Sequence, residues 1–570
     1  MHLQRLTLAE LLNSSVDRFG SYPFASFVDQ PGYTYDQYAA RIRAVRQFLA
    51  EKGIRKGDRI GILGENHPHW GICYLAVTTY GAVGVPILPD FQSRDIAAIL
   101  EHAEVRGLCL SRKMEEKAAQ AVPSGSWRLS IDELAEIGPE GEPITHLEPL
   151  EYQADGDRSL SETGSDIEEG DTAVIIYTSG TTGQPKGVVL THRNIVHNVV
   201  STSYIPVKLR PGDRLLSILP LAHTYECTIG FLTPLLLGCS IFYLRSLPAP
   251  RVLLPALKAV RPHVILSVPL LMEKLYRNMV LPKVQKSRLL GLLYRSGPGR
   301  RLVHRIVGIR LRRIFGGRMK YFIIGGAAPS PDVERFLQEA RFPLAKGYGL
   351  TETSPLVAGC TPDYDKLYTV GTPLRGVEVK IASADPAGEP GEVLVRGPNV
   401  TPGYYREEQR TREAFDEEGW FYTGDLGILD GDGYLTIRGR LKNLILGPSG
   451  ENIYPEEIEN LLYEDEAVSE ALVVEEEGRV IARVHLDYEV LKEKLRGWAD
   501  SAADLTRPVG EYLDNLRKSV NSRLASFARL AGVVEQREPF EKTPTNKIKR
   551  YLYTRGGKED SRQGEGTARE

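Results

Sequence analysis

Lys186 stands near the end of a run dense in groups able to hold an anion, Tyr177-Thr178-Ser179-Gly180-Thr181-Thr182-Gly183-Gln184-Pro185-Lys186-Gly187. Its four hydroxyls, on Thr178, Ser179, Thr181 and Thr182, and several backbone N–H groups can converge on charged oxygens. Gly180, Gly183 and Gly187 let the backbone come close, Pro185 stiffens the exit and Lys186 adds a mobile positive charge. The simplest ligand for such a set is a polyphosphate. No Gly-Lys-Ser/Thr closes the run, so the usual P-loop of nucleotide triphosphatases is excluded.

Other reactive groups lie further along. His223 sits in Leu221-Ala222-His223-Thr224-Tyr225-Glu226, and Gly326 and Ala327 follow the apolar run Tyr321-Phe322-Ile323-Ile324. Tyr348, Gly349, Thr351 and Glu352 share the segment Lys346-Gly347-Tyr348-Gly349-Leu350-Thr351-Glu352-Thr353. Asp425 follows Gly424, Arg440 and Lys442 occur in Arg438-Gly439-Arg440-Leu441-Lys442, and Lys547 lies in Thr543-Pro544-Thr545-Asn546-Lys547-Ile548-Lys549-Arg550. Each has an ordinary explanation by itself: a packed histidine, a turn carboxylate or a solvated lysine.

Taken together and in this order, the segments resemble the adenylate-forming superfamily, which includes acyl-CoA synthetases, the adenylation domains of peptide synthetases and beetle luciferases. The resemblance begins with the eleven residues Tyr177–Gly187 and runs from about residue 35 to 551. It implies that Thr178, Ser179, Gly180, Thr181, Thr182, Gly183 and Lys186 hold the phosphates of ATP. Gly326, Ala327, Tyr348 and Gly349 would form the adenine pocket, with Tyr348 stacked on the ring. Thr351 would reach the α-phosphate, Glu352 would ligate Mg²⁺, and Asp425 with Arg440 would hold the ribose. His223 would lie beside the reacting carboxylate, Lys442 at the hinge between two domains, and Lys547 would be catalytic. Asn546 departs from the family's closing motif, where Gly is common. Amino-acid-activating relatives commonly carry Asp after the histidine. Thr224 stands there instead, which leaves a substrate ammonium without a partner and disfavours amino acids. The loop Gly447-Pro448-Ser449-Gly450-Glu451-Asn452 is one residue longer than in many short- and medium-chain relatives and looks like that of the long-chain branch.

The elements that must carry these groups are legible as a βαβ alternation. Leu8–Leu12 suggests an opening helix, Tyr35–Lys52 has helical spacing at Ala39, Ile42, Val45 and Leu49, and Gly57–Leu63 reads as a strand. A helix through Trp70–Tyr80 and an apolar strand at Val83–Leu88 follow, which argues for a parallel sheet covered on both faces. Pro139–Gly170 reads as a surface connection. At 570 residues the chain needs more than one core. The expected architecture is α/β: a large N-terminal domain of stacked doubly wound sheets with a small β unit (1–441, binding AMP and acyl group), a small α+β C-terminal mobile lid (442–555) and a disordered tail (556–570).

Hydrophobic content of 42%, charged content of 25% and a net charge of -3 describe a globular protein and give no sign of a nucleic-acid partner. The five widely spaced cysteines suit a reducing cytoplasm, with no zinc site or disulfide framework expected. Neither a signal peptide nor a transmembrane span is expected. Lys274 to Lys320 holds no acidic residue, and a helix over 300–315 would place Arg301, Arg305 and Arg312 on one stripe and Leu302, Val303, Ile306, Val307 and Ile314 on another side. Such a stretch suits a solvated face, a dock for coenzyme A phosphates, or peripheral contact with the anionic inner face of a membrane. The resemblance implies an AMP-forming long-chain fatty acid CoA ligase using ATP, Mg²⁺ and coenzyme A. Alternatives are a medium-chain or aryl-CoA ligase, a synthetase loading a free acyl carrier protein, or a non-catalytic acyl- or nucleotide-binding protein.

Overall fold

The computed structural model describes all residues other than 1–2, 119–120, 123–124, 139–140, 151–166, 180–184, 205–207, 278–292, 295, 448–450, 496–505, 544–546 and 555–570. The chain divides into two compact units, one of Met1–Lys380, Leu394–Thr423 and Gly431–Leu435, the other of Ile381–Val393, Gly424–Asp430 and Thr436–Glu570.

Two nine-stranded sheets build the first unit. In one, the strands Leu344–Gly349, Tyr321–Ile324, Val264–Ser267, Arg214–Ser217, Ser240–Tyr243 and Pro23–Phe27 run parallel side by side. In the other, Thr172–Ser179, Val83–Ile87, Arg59–Leu63, Gly107–Leu110 and Trp127–Ser130 do the same. Parallel strands need crossovers; helices such as Tyr35–Glu51 and Pro68–Tyr80 share one apolar core with both sheets, while Pro250–Val260 and Pro331–Glu339 pack a second cluster against the first sheet. Helix Pro68–Tyr80 shows why the sequence permits this. It starts on His67 as N-cap with Pro68 in its first turn and stops at Gly81, whose φ of 94° only glycine adopts without strain. Between them Trp70, Ile72, Cys73, Leu75, Ala76 and Val77 are all 0% exposed, so it is apolar on every side and sits inside the unit. Each such large side chain contributes about 1.5–3 kcal/mol. Gly71 is required there because a Cβ would lie 2.4 Å from the Tyr38 hydroxyl.

The helices Leu8–Phe19 and Tyr35–Glu51 and the strands Arg59–Leu63 and Val83–Ile87 fall where the periodicity places them. Three features differ. Pro185, Lys186 and Gly187 belong to the strand Pro185–Thr191 rather than to the loop, since this strand pairs antiparallel with Thr172–Ser179 in the register Lys186↔Thr178. The connection after Pro139 contains the exposed edge strand Pro143–His146, recruited by backbone pairing with Ala135–Ile137 despite lacking an apolar face. The helix around 300–315 spans Gly297–Ile314, and its aliphatic residues do not form one face: Val303 and Leu311 are buried while Leu302 and Ile306 are exposed.

The second unit has its own core under a three-stranded sheet, in which Val468–Glu476 and Arg479–Leu486 are antiparallel and Gly532–Glu535 joins in parallel. Helices Pro455–Leu462 and Thr506–Asn521 supply Ile458, Leu462, Leu513 and Leu516 to that core. Glu378–Ala382, Gly391–Arg396, Phe421–Leu429 and Leu435–Arg440 form a four-stranded sheet. The expected tail 556–570 lies outside the described residues.

Candidate active site

The hairpin of Thr172–Ser179 and Pro185–Thr191 carries the first group of candidate residues. Lys186 Nζ donates to Glu352 Oε1 at 2.7 Å. The Tyr404 hydroxyl donates to the same oxygen at 3.1 Å, and the Lys186 ammonium lies 4.6 Å from the centre of the Tyr404 ring. Tyr404 is brought there because Gly403–Tyr404 adds to the hairpin as an edge strand, in the register Val188↔Tyr404. Glu352 sits in the short 3₁₀ turn Thr351–Thr353, pinned by Thr401 N–H on its carbonyl at 2.8 Å. Burial alone would raise its carboxyl. Lys186, by charge and hydrogen bond, outweighs that and holds it below the usual carboxylate value, so the side chain is ionised.

The Thr178 hydroxyl opposite Lys186 across the hairpin is buried and has no partner among the described residues. A buried orphan hydroxyl beside a lysine and an ionised carboxylate fits a phosphate with its divalent cation. Among the described residues no three His, Cys, Asp or Glu side chains form a metal cage. The single ionised carboxylate of Glu352 suits Mg²⁺, which binds through one or two carboxylates and the phosphates themselves. Ser179 ends the first strand, and Gly180, Thr181, Thr182 and Gly183 lie outside the described residues.

The adenine-pocket candidates follow two neighbouring parallel strands. Gly326 and Ala327 are exposed just past Tyr321–Ile324, with Gly326 at φ +83°, while Tyr348 and Gly349 end Leu344–Gly349 partly exposed. Gly349 has no room for a side chain, since a Cβ would lie 1.7 Å from the Pro355 carbonyl oxygen. Thr351 is partly exposed at the start of its turn.

His223 lies past the strand Arg214–Ser217, its Nδ1 accepting from Tyr225 N–H at 3.3 Å. Thr224, 3% exposed, helps line a narrow cavity with Tyr74, Val174, Ile195, Ala222 and Cys227, a mostly apolar wall. A π-helix, Glu226–Leu232, begins directly after. Glu226 is 0% exposed, with Oε1 taking a hydrogen bond from Ser217 Oγ at 2.6 Å and Oε2 unpartnered among the described residues. Burial pushes its carboxyl up to about 8. Asn66 ties this group to the loop, donating to Ser217 Oγ at 3.0 Å and to Leu219 O at 2.6 Å and accepting from Leu221 N–H at 2.8 Å.

In the second unit, Arg440 Nε lies 2.8 Å from Asp425 Oδ1, on neighbouring strands, and Asp425 is 4% exposed. Lys442 is exposed in the 3₁₀ turn Leu441–Asn443. Lys547 is exposed, its carbonyl accepting from Thr543 N–H at 2.8 Å. The segment is anchored three residues on by Arg550, which holds both oxygens of the buried Glu459 at 2.5 Å. Asn546 lies outside the described residues, as do positions 448–450 of the Gly447–Asn452 loop.

The structure therefore joins Lys186 to Glu352 in one unit and Asp425 to Arg440 in the other. Sequence reasoning missed Tyr404 and Glu226. The sequence offered only the pair Tyr404-Tyr405 beside Gly403 and a lone acid three residues after His223.

A two-sheet α/β unit presenting a phosphate-type hairpin, followed by a smaller α+β unit, defines a class of nucleotide-dependent, acid-activating enzymes. Residues 12–405 match the family model of the AMP-binding enzymes, and the chain belongs to that family. It is similar to the long-chain-fatty-acid–CoA ligase FadD15 of Mycobacterium bovis, 31% identical with 91% of this chain and 90% of the relative covered. It is also similar to the peroxisomal long chain acyl-CoA synthetase 6 of Arabidopsis thaliana, 31% identical over 92% of this chain and 80% of the relative. Among solved structures, o-succinylbenzoate CoA synthetase (MenE) from Bacillus subtilis in complex with ATP and magnesium ion superposes with a TM-score of 0.71 at 24% identity, covering 95% of this chain and 98% of that one. The class is thus adenylate-forming acid–CoA ligase.

Proposed function

We propose that the chain activates a long-chain fatty acid and transfers it to coenzyme A. The reading is carried by the cavity beside His223, whose wall is mostly apolar and whose Thr224 offers no charge to an amino-acid ammonium. The names of the curated relatives support it. ATP and coenzyme A are the co-substrates. Glu352 is the residue to hold Mg²⁺, which neutralises charge on the phosphates when bound.

Two displacements make up the reaction, one at phosphorus by oxygen and one at the acyl carbon by sulfur. A carboxylate oxygen of the fatty acid attacks the α-phosphorus of ATP, the bond to the β-phosphate oxygen breaks, and acyl-AMP and pyrophosphate result. The coenzyme A sulfur then attacks the acyl carbonyl, and AMP leaves. The protein's part is positioning and charge stabilisation. In the resting state Lys186 is held ready by Glu352 and Tyr404. A polyphosphate draws that ammonium onto its own oxygens and finds the Thr178 hydroxyl unspent. Thr351 takes the α-phosphate, Tyr348 and the small residues Gly326, Ala327 and Gly349 take the adenine, and Asp425 with Arg440 takes the ribose. Lys547 neutralises charge developing at the α-phosphate, and Lys442 is the hinge between the domains 1–441 and 442–555.

The test is a panel of acids with ATP and coenzyme A, read as pyrophosphate release. Each methylene the cavity lining buries is worth about 0.8 kcal/mol, so four carbons amount to roughly 3 kcal/mol, or about a hundredfold in kcat/KM. Efficiency should rise from octanoate to at least dodecanoate, with acetate and amino acids inactive. A maximum at octanoate or at a benzoate-type acid would transfer the assignment to a medium-chain or aryl-CoA ligase, and no release with any acid would leave a binding protein. Replacing coenzyme A by a free acyl carrier protein in the same assay decides the acceptor. A cytoplasmic location with peripheral contact to an anionic membrane belongs to the same proposal, because a long-chain acid partitions into bilayers.

A further inference from the structure

Helix Gly297–Ile314 turns a second apolar surface away from its core. Val303, His304, Gly308 and Leu311 are buried, whereas Leu302, Ile306 and Ile309 are 55%, 49% and 54% exposed. At 3.6 residues per turn these three fall within an arc of about 60° centred on the outward side. Arg301, Arg305 and Arg312 flank the arc on one edge and Arg310 on the other, all exposed. The neighbouring helix Pro250–Val260 packs against it and repeats the pattern, with Leu254 50% exposed between the exposed Arg251 and Lys258.

Neither helix contains an Asp or Glu, and between Glu226 and Asp332 the one acid is Glu273. Its Oε1 is engaged by Ser330 N–H at 3.2 Å. Among the described residues Arg251, Lys258, Arg301, Arg305, Arg310 and Arg313 have no carboxylate partner, in contrast to Arg300, which is taken up by Glu339 at 2.9 Å. Exposed aliphatic side chains bordered on both edges by unpaired cations are poorly suited to water and well suited to a headgroup layer.

We propose that these two helices are an interfacial surface that rests on an anionic phospholipid bilayer. Leu254, Leu302, Ile306 and Ile309 enter the boundary between headgroups and acyl chains, and the arginines bind lipid phosphates. The charge favours this occupant. A bilayer offers a continuous sheet of negative charge to a surface that lacks any negative charge of its own, and the long arginine stems reach the headgroups from either side of the aliphatic ridge. No helix among the described residues is long and apolar enough to cross a membrane, so the contact is lateral. The inference rests on the ligase reading only for its purpose, which is to place the enzyme where its acid is dissolved. It names an insertion ridge in addition to the charge of the stretch.

The experiment is co-sedimentation of the full-length protein with vesicles of phosphatidylcholine alone or mixed with phosphatidylglycerol, at low and high salt and without substrates. The wild type should bind the mixed vesicles, lose most binding at high salt and bind the neutral ones weakly. The variant L302S/I306S/I309S should bind the mixed vesicles at least about tenfold more weakly with an unchanged thermal midpoint, and R301E/R305E/R310E should lose the salt-dependent component. Octanoate-dependent pyrophosphate release should be the same in all three proteins. Failure of pyrophosphate release with every acid of the panel in the wild type would overturn the ligase reading and leave the vesicle result standing. The membrane proposal is overturned if the wild type ignores anionic vesicles at low salt. It is equally overturned if the serine variant binds as the wild type does, or if the wild type self-associates in solution and the serine variant is monomeric, which would make the ridge a contact between copies.

Discussion

Glu226 and Glu352 are both buried acids of the first unit, yet they titrate in opposite directions. Glu352 has Lys186, and its ionised form is favoured in the fold, so its contribution to stability is present above the unfolded carboxylate value and is lost on acidification. Desolvation governs Glu226, with the hydrogen bond from Ser217 opposing it only in part, and its carboxyl stands at about 8 against an ordinary 4.5. The native state then holds a proton that the unfolded chain releases between those values. The stabilisation is full below 4.5 and drains away as pH rises through 8. Glu226→Gln should flatten the decline of the urea midpoint between pH 6 and pH 9. An unaltered pH profile in that variant would show that the carboxyl is ionised in the fold. Lys547, by contrast, is exposed. Lys547→Ala should lower acyl-AMP formation about 10² to 10³-fold, the scale of one preorganised donor, and affect thioester formation from supplied acyl-AMP far less. Equal losses in both half-reactions would remove it from the first. Lys186 and Glu352 were legible because each lies inside a dense local motif. Tyr404 was not, because its approach to Lys186 depends on an edge strand arriving from more than two hundred residues away.

At the scale of elements, the strongest periodicities were read correctly because burial leaves them little freedom: Ala39, Ile42, Val45 and Leu49 line the inner side of Tyr35–Glu51, which opens on a Thr34/Gln37 capping box. The exposed aliphatic residues of Gly297–Ile314 misled the reading, since a wheel tells which residues share a side and not which side meets the core. The strand Pro143–His146 left no apolar trace at all, all four residues being exposed. The turn Leu441–Asn443 carries the prediction at this scale. A second unit that presents Lys547 in one half-reaction and the Gly447–Asn452 loop in the other needs a backbone joint able to change φ and ψ. Lys442→Pro fixes φ there, and it should leave pyrophosphate release in the first turnover near wild type while slowing acyl-CoA formation by at least tenfold, about the cost of one lost rearrangement. Unchanged steady-state turnover would eliminate the joint.

For the molecule as a whole, the α/β class and the presence of more than one core followed from length and from the βαβ order. The way segments 381–393 and 424–430 group with the later part of the chain did not, because it depends on contacts between segments distant in sequence that no local pattern announces. The placement of cysteine has a bearing on how such an enzyme survives its own intermediate. An acyl adenylate is an acylating agent that reacts with any accessible thiolate, and Cys227 lines the very cavity proposed for the acyl chain. All five cysteines are buried, and desolvation pushes Cys227, Cys239 and Cys360 up to about 12. At pH 7 that leaves about one molecule in 10⁵ with a nucleophilic sulfur at any of these positions. The chain is thereby protected from acylating itself, and the adenylate can persist until the incoming cosubstrate brings a thiol of its own.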